Sequence, residues 1–101
     1  MLDRNLYSGL IRLHILHHAA EGPVFGQAMI DELGHHGYRL SAGTLYPILH
    51  GMERQGYLRS QQTVNGGRQR RVYRATAAGR KALVTARLRV QELFGEMFER
   101  D

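Results

Sequence analysis

Between Arg54 and Gln91 the chain carries Arg54, Arg59, Arg68, Arg70, Arg71, Arg74, Arg80, Lys81, Arg87 and Arg89, with no aspartate or glutamate among them. Ten of the fourteen basic residues thus share one acid-free stretch. Such a segment attracts polyanions, and the counterions it displaces supply affinity. The plainer reading of the same charges is a solvated helix face followed by a polar hairpin. A second group is His14, His17 and His18, whose spacing on a helix can bring imidazoles onto one divalent metal such as Zn²⁺. Glu21, Glu92 or Glu96 would complete the ligand set. Against a metal, the last turn of a helix favours imidazole through its dipole, and no thiolate assists. His35-His36 reads as a solvated loop.

Other chemistry is poorly supported. No nucleophile with a placed base, no carboxylate pair in an apolar setting and no phosphate-binding loop can be picked out, so no enzyme and no required cofactor are expected. The absence of cysteine removes disulfides and thiolate sites and fits a reducing, cytoplasmic compartment. The start, Met1-Leu2-Asp3-Arg4, has no cleavable apolar region. Nor is there an apolar run near the roughly 20 residues a membrane span needs, so no membrane partner is expected.

These groups need elements to hold them. With 101 residues and 43% hydrophobic content, one domain with a modest core is expected, and a partner subunit would add buried apolar surface. Leu6, Tyr7, Leu10, Ile11, Leu13, Ile15 and Leu16 cover most of a helix circumference, capped by Asp3 or Asn5 and stopped by Glu21-Gly22-Pro23. A short second helix runs from Phe25 or Gly26 to Leu33 and ends at Gly34-His35-His36-Gly37. A third opens at Ser41 and continues to about Gln55, with Leu45, Ile48, Leu49 and Met52 inward. Two helices joined so closely suit a helix-turn-helix. Pro47 presses on the carbonyl of Gly43, a pairing that would let the helix start bend. Tyr57–Ser60 and Arg71–Arg74 read as strands around a tip of Asn65-Gly66-Gly67-Arg68, with Asn-Gly supplying the positive φ angles. From Thr76 a helix of roughly 22 residues steps Leu83, Ala86, Val90, Leu93, Met97, as in a coiled-coil seam. Leu88, Phe94 and Phe98 widen that stripe, which a symmetry mate would cover. The expected class is α+β, mostly α: three helices and a two-stranded wing over residues 1–75, then a dimerisation helix over 76–101.

Helix, helix, helix, hairpin, long helix is the order of winged-helix regulators, and local motifs resemble the PadR family. Gly43-Thr44-Leu45-Tyr46-Pro47-Ile48-Leu49 is similar to that family's recognition-helix signature. Met52-Glu53-Arg54-Gln55-Gly56-Tyr57-Leu58 resembles the next segment, and Arg71-Val72-Tyr73-Arg74-Ala75-Thr76-Ala77-Ala78-Gly79 its wing exit. Val24-Phe25-Gly26 departs from the Gly-Tyr pair expected at the second helix, which removes a tyrosine contact to phosphate. The single long last helix is similar to the short-form members. The resemblance implies a repressor released from DNA by an effector, often a phenolic or other aromatic compound.

The combined expectation is a homodimer on a palindromic site in double-stranded DNA. Ser41, Thr44, Tyr46 or Pro47, and His50 would read the bases beside Gly43, with Tyr46 equally a core or phosphate-contacting residue, and Gly66, Arg68, Arg70 and Arg71 would meet the backbone or a narrow minor groove. Alternation sets Arg70 and Arg71 on opposite faces, which leaves Arg68 as the leading wing contact. Leu83, Ala86, Val90, Leu93, Phe94, Met97 and Phe98 form the dimer face, where a small aromatic effector could bind. The alternatives are a metal-responsive regulator using His14, His17 and His18, and a protein-interaction adaptor of the same fold. An adaptor has no need of an acid-free basic stretch.

Overall fold

A computed structural model of the protein describes residues 3–99, so Met1 and Leu2 of the N-terminal reading lie outside the described residues. Helix α1 (Arg4–Glu21) is followed by strand β1 (Val24–Phe25), helices α2 (Gly26–His35) and α3 (Ala42–Arg54), strands β2 (Leu58–Asn65) and β3 (Arg68–Ala75), and helix α4 (Ala77–Phe94). The chain then continues as a π-helical stretch, Gly95–Glu99. Both long helices begin at the cap the sequence offers. Asp3 accepts from the backbone N–H groups of Asn5 and Leu6, and Thr76 accepts from that of Gly79. Ser41 stands at the N-cap of α3 without a side-chain bond to the helix backbone.

The inward stripes expected on α2 and α3 reach the core, with Ile48 half-buried, whereas Leu6 and Leu10 of the apolar run on α1 are exposed, because only one face of that helix meets the body. Ile11, Ile15, Leu16 and Ala19 of α1 pack with Met29 and Leu33 of α2, Leu45, Leu49 and Met52 of α3, and Leu58, Tyr73 and Ala75 of the sheet. The helix-period spacing along each helix puts these side chains on one face, where their burial supplies the main driving force for the fold.

The sheet contains one strand more than expected. Val24 pairs with Tyr73 and Phe25 with Val72, so β1 joins the outer edge of β3 and the antiparallel order is β1-β3-β2. Its two residues carry no alternation of their own; they are a strand because β3 offers an unpaired edge. The hairpin is also longer than the sequence suggested, with pairing from Leu58–Ala75 out to Asn65–Arg68. Its turn is centred on Gly66 and Gly67, with φ of 60° and 79°, rather than on Asn65-Gly66. Two consecutive positive φ angles match a type I′ turn, whose twist follows that of the strands.

The start of α4 is locked into the body. Gly79 is buried, and a Cβ there would lie 3.0 Å from the Tyr57 carbonyl carbon and 3.2 Å from Leu16 Cδ1. Thr76 Oγ1 donates to the Gly56 carbonyl, and Arg80 Nη1 donates to the Ala20 carbonyl at 2.8 Å. Beyond Leu83 the helix leaves the body, in keeping with a molecule that measures 57 × 33 × 21 Å. Among the described residues no helix is long and apolar enough to cross a membrane.

Candidate nucleic-acid interface

Helix α3 presents an exposed face of small side chains. Ser41, Gly43, Pro47 and His50 are exposed and Thr44 is half-buried. The helix remains continuous across Pro47, which has no N–H to offer the Gly43 carbonyl. Its first turn contains no acidic side chain, and without a bond from Ser41 the leading N–H groups stay open to an anion. Tyr46 behaves differently from its neighbours. Its ring packs against the core, and its hydroxyl end rests where a Cβ on Gly26 would be, so α2 and α3 approach through a glycine and a tyrosine.

Thr44 is held by two groups. Arg4 Nη1 donates to Thr44 Oγ1 at 2.9 Å, and Ser41 Oγ donates to the same oxygen at 3.4 Å. Arg4 therefore brings a cation to the start of α3 from a position 40 residues away in sequence. Sequence reading missed it because it lies far outside the acid-free stretch, and only the packing of α1 on the helix-turn-helix reveals it.

The wing arginines divide by what they touch. Arg71 Nη1 donates to Ser60 Oγ at 3.0 Å, and that hydroxyl donates to Glu53 Oε2 at 2.7 Å while Ser60 N donates to the same carboxylate at 3.2 Å. This chain ties β3 and β2 to the last turn of α3. The Arg70 guanidinium stands over the Phe25 ring, 5.3 Å from its centroid, on the opposite face of the sheet. Arg68, beside the Gly66-Gly67 turn, is exposed, and its side chain makes no hydrogen bond with a described residue. Arg59 and Arg74, cross-strand partners, line a shallow groove with Gln61 and Val72 on the face shared with Arg70. Beneath the wing, burial pushes the Tyr73 hydroxyl above its usual 10, and Glu53 adds to the effect while Arg71 opposes it.

The three histidines of α1 divide between two groups instead of forming one. Ligand nitrogens of His14, His18 and His36 lie within 4.8 Å of one another, whereas His17 groups with His18 and Glu21. His36 lies in the turn that caps α2 and is exposed as expected, and its ring also stacks on His14 at 4.5 Å. Glu32 adds a carboxylate, with Oε2 2.8 Å from His36 Nε2 and 3.7 Å from His18 Nε2. His14 is held below its ordinary 6.5, first by burial and then by His36, His18 and His17, against the pull of Glu32. The hydrogen bond with His36 lowers the Glu32 carboxyl.

On α4 and the π-helical stretch that continues it, the expected seam emerges from the body. Leu83 and Ala86 are half-buried, while Val90, Leu93, Phe94, Met97 and Phe98 are exposed, the last at 70%. Phe94 and Phe98 pair with ring centroids 5.1 Å apart.

Comparison with known proteins agrees with this architecture. The family model for the PadR-like transcriptional regulators matches residues 15–85. The chain is 53% identical over 94 residues to the transcriptional regulator Rv3488 of Mycobacterium tuberculosis, covering 93% of this chain and 88% of that one. It is similar to a PadR family regulator from Eggerthella lenta at 32% identity and a TM-score of 0.74, over 96% of this chain and 88% of the other. It shares its fold with Bacillus subtilis PadR, solved in complex with operator DNA, at 18% identity and a TM-score of 0.67, over 75% of this chain and 44% of that one.

Proposed function

The chain belongs to the PadR-like family of transcriptional regulators, and from that premise we propose that it is a homodimeric repressor that binds a palindromic operator and leaves it when an effector binds. As a member it is a regulator and not an enzyme. One observation carries the DNA reading: the exposed, acid-free start of α3 lies in the same body as a hairpin whose tip ends in an unengaged Arg68. The first can enter a major groove and the second can reach the flanking phosphates. The complex of the Bacillus subtilis neighbour with its operator supports this use of the fold. In this reading Thr44, Pro47 and His50 meet base edges, Gly43 lets the backbone approach, and Tyr46 sets the angle between α2 and α3.

The dimer reading rests on α4. A stripe of Val90, Leu93, Phe94, Met97 and Phe98, exposed by 45–70%, is a large apolar surface for a chain of this length. A symmetry mate packing along it would bury that surface and set two recognition helices about one DNA turn, roughly 10 bp, apart. Residues 1–75 then form the DNA-binding unit and 76–101 the dimerisation helix, with the turn around Gly79 as the joint. A small aromatic effector would enter between Phe94, Met97 and Phe98 of the paired helices, in the cytoplasm. The histidine cluster supports a second reading, in which a metal ion is the signal.

Selection of bound duplexes from a random pool tests the proposal, with an inverted repeat as the expected product. Enrichment of a site without two-fold symmetry would overturn the dimeric reading. Removing the residues after Leu83 should yield a monomer in sedimentation; a persistent dimer would show that α4 is not the interface.

A further inference from the structure

His14 and His18 lie on one face of α1, and His36 and Glu32 lie on the end of α2 that faces them. The three imidazole nitrogens fall within 4.8 Å of one another, and the Glu32 carboxylate reaches toward both His18 and His36. We propose that His14, His18 and His36, with Glu32 as the fourth ligand, form a binding site for a divalent transition-metal ion of the Zn²⁺ class that clamps the C-terminal half of α1 to the end of α2. The proposal does not depend on the DNA reading.

The donor set selects the ion. Three imidazoles and one carboxylate suit Zn²⁺ and its borderline neighbours, whereas Mg²⁺ and Ca²⁺ take oxygen ligands almost throughout. A tetrahedral site with metal–nitrogen distances near 2.1 Å needs ligand atoms roughly 3.4 Å apart. The nitrogens already lie within 4.8 Å of one another, and the ligands have room to turn: the side chains of His36, Glu32 and His18 are 43%, 37% and 25% exposed. The backbone beneath them is fixed, because Ile15 and Leu33 of the same two helices are fully buried. The hydrogen bond between Glu32 and His36 already orients the carboxylate that would complete the site.

The competing group, His17, His18 and Glu21, lies on α1 alone. His17 and His18 are adjacent in sequence, so their Cβ atoms diverge around the helix, and among the described residues that group draws no ligand from a second element. Both groups use His18, so substitutions at His36 and His17 separate them.

The test is titration of the full chain with Zn²⁺ by calorimetry and with Co²⁺ by its ligand-field absorption, on the native protein and on His36→Ala, His14→Ala, Glu32→Gln and His17→Ala. The expected result is one ion per chain, intense bands of four-coordinate Co²⁺, and a thermal midpoint that rises with free Zn²⁺. His36→Ala, His14→Ala and Glu32→Gln should each weaken binding by at least about tenfold, while His17→Ala leaves it unchanged. Absence of Co²⁺ bands and of a thermal response would overturn the site, as would loss of binding in His17→Ala with retention in His36→Ala. If the half-buried His14 proves necessary for folding, the exposed His36 still decides, since His36→Ala can be compared with the native protein in chelator for an unchanged fold.

Discussion

Replacing Arg68 with Ala isolates the contribution of the wing tip, because its side chain beside the Gly66-Gly67 turn makes no hydrogen bond or ring contact with a described residue. Arg71 is occupied by Ser60 and, through it, Glu53; Arg70 stands over Phe25; the Arg68 side chain bonds to no described residue. Each phosphate neutralised on B-DNA contributes about −0.9 to the slope of log affinity against log salt. A dimer that loses two such contacts should therefore show a slope flatter by about 1.8. Over a fourfold rise in salt, the variant loses about twelvefold less affinity than the native protein. No change in stability accompanies this, since no described contact is broken.

Arg71→Ala should show the opposite profile. It removes an exposed charge-assisted hydrogen bond on Ser60, worth about 0.5 kcal/mol after solvent screening, which lowers the thermal midpoint by roughly 2–4 °C. The salt slope should move much less than for Arg68→Ala. Fluorescence anisotropy on a random-sequence duplex at several salt concentrations gives the slopes, and thermal unfolding gives the midpoints. An unaltered slope in Arg68→Ala, or an equally flattened slope in Arg71→Ala without loss of stability, would refute the division between an engaged and an unengaged arginine.

Two glycines should respond to alanine in opposite directions. Gly79→Ala forces a methyl group onto the Tyr57 carbonyl and Leu16; overpacking of about 1–3 kcal/mol outweighs a gain of about 1 kcal/mol in helix propensity, so the midpoint in thermal unfolding should fall. Gly9→Ala, with nothing within 4 Å of its Cβ position, should gain about 0.5–1 kcal/mol. Thr44→Ala should alter the sequence recovered from a random pool, and Arg4→Ala should alter it at the same base pairs, because Arg4 orients the Thr44 hydroxyl. Recovery of the native site by both variants would remove Thr44 from base reading. Tyr73 supplies a pH test: its pKa is raised in the fold, so above pH 10 the folded chain holds a proton that the unfolded chain has lost. Stability attributable to Tyr73 is therefore complete below pH 10 and declines as pH rises through the folded value, and Tyr73→Phe should show a smaller alkaline loss in urea midpoints.

What could be read from the sequence followed the range of the interactions involved. The inward stripe of α3, the cap at Thr76 and the opposite faces of Arg70 and Arg71 depend on helix or strand period, and each stands as expected. Strand β1 depends on an edge supplied by residues 72 and 73, almost fifty positions later, and two residues of strand leave no pattern to detect. The outer hairpin was equally hidden. From Gln61 to Val64 both faces are largely exposed, so alternation between apolar and polar residues is lost even though pairing continues. The histidine spacing on α1 was visible, but grouping by spacing favoured His17, whereas packing of α2 on α1 brings His36 and Glu32 to His14 and His18.

The same packing makes α1 the element through which the sites are connected. Its core face holds Ile11, Ile15 and Leu16; its C-terminal half carries His14 and His18 toward α2; its last turn receives Arg80 from α4 at the Ala20 carbonyl. Its first residue, Arg4, reaches Thr44 at the start of α3. Close-packed interiors transmit small shifts instead of absorbing them, and Leu16 has Gly79 directly against it. The contacts of α1 thus reach both the start of α3, through Arg4 and Thr44, and the start of α4, through Arg80 and the packing of Leu16 on Gly79. Arg80→Ala, which cuts the α4 end of this path, and Arg4→Ala, which cuts the α3 end, are the substitutions that would show whether α1 moves as one rigid body.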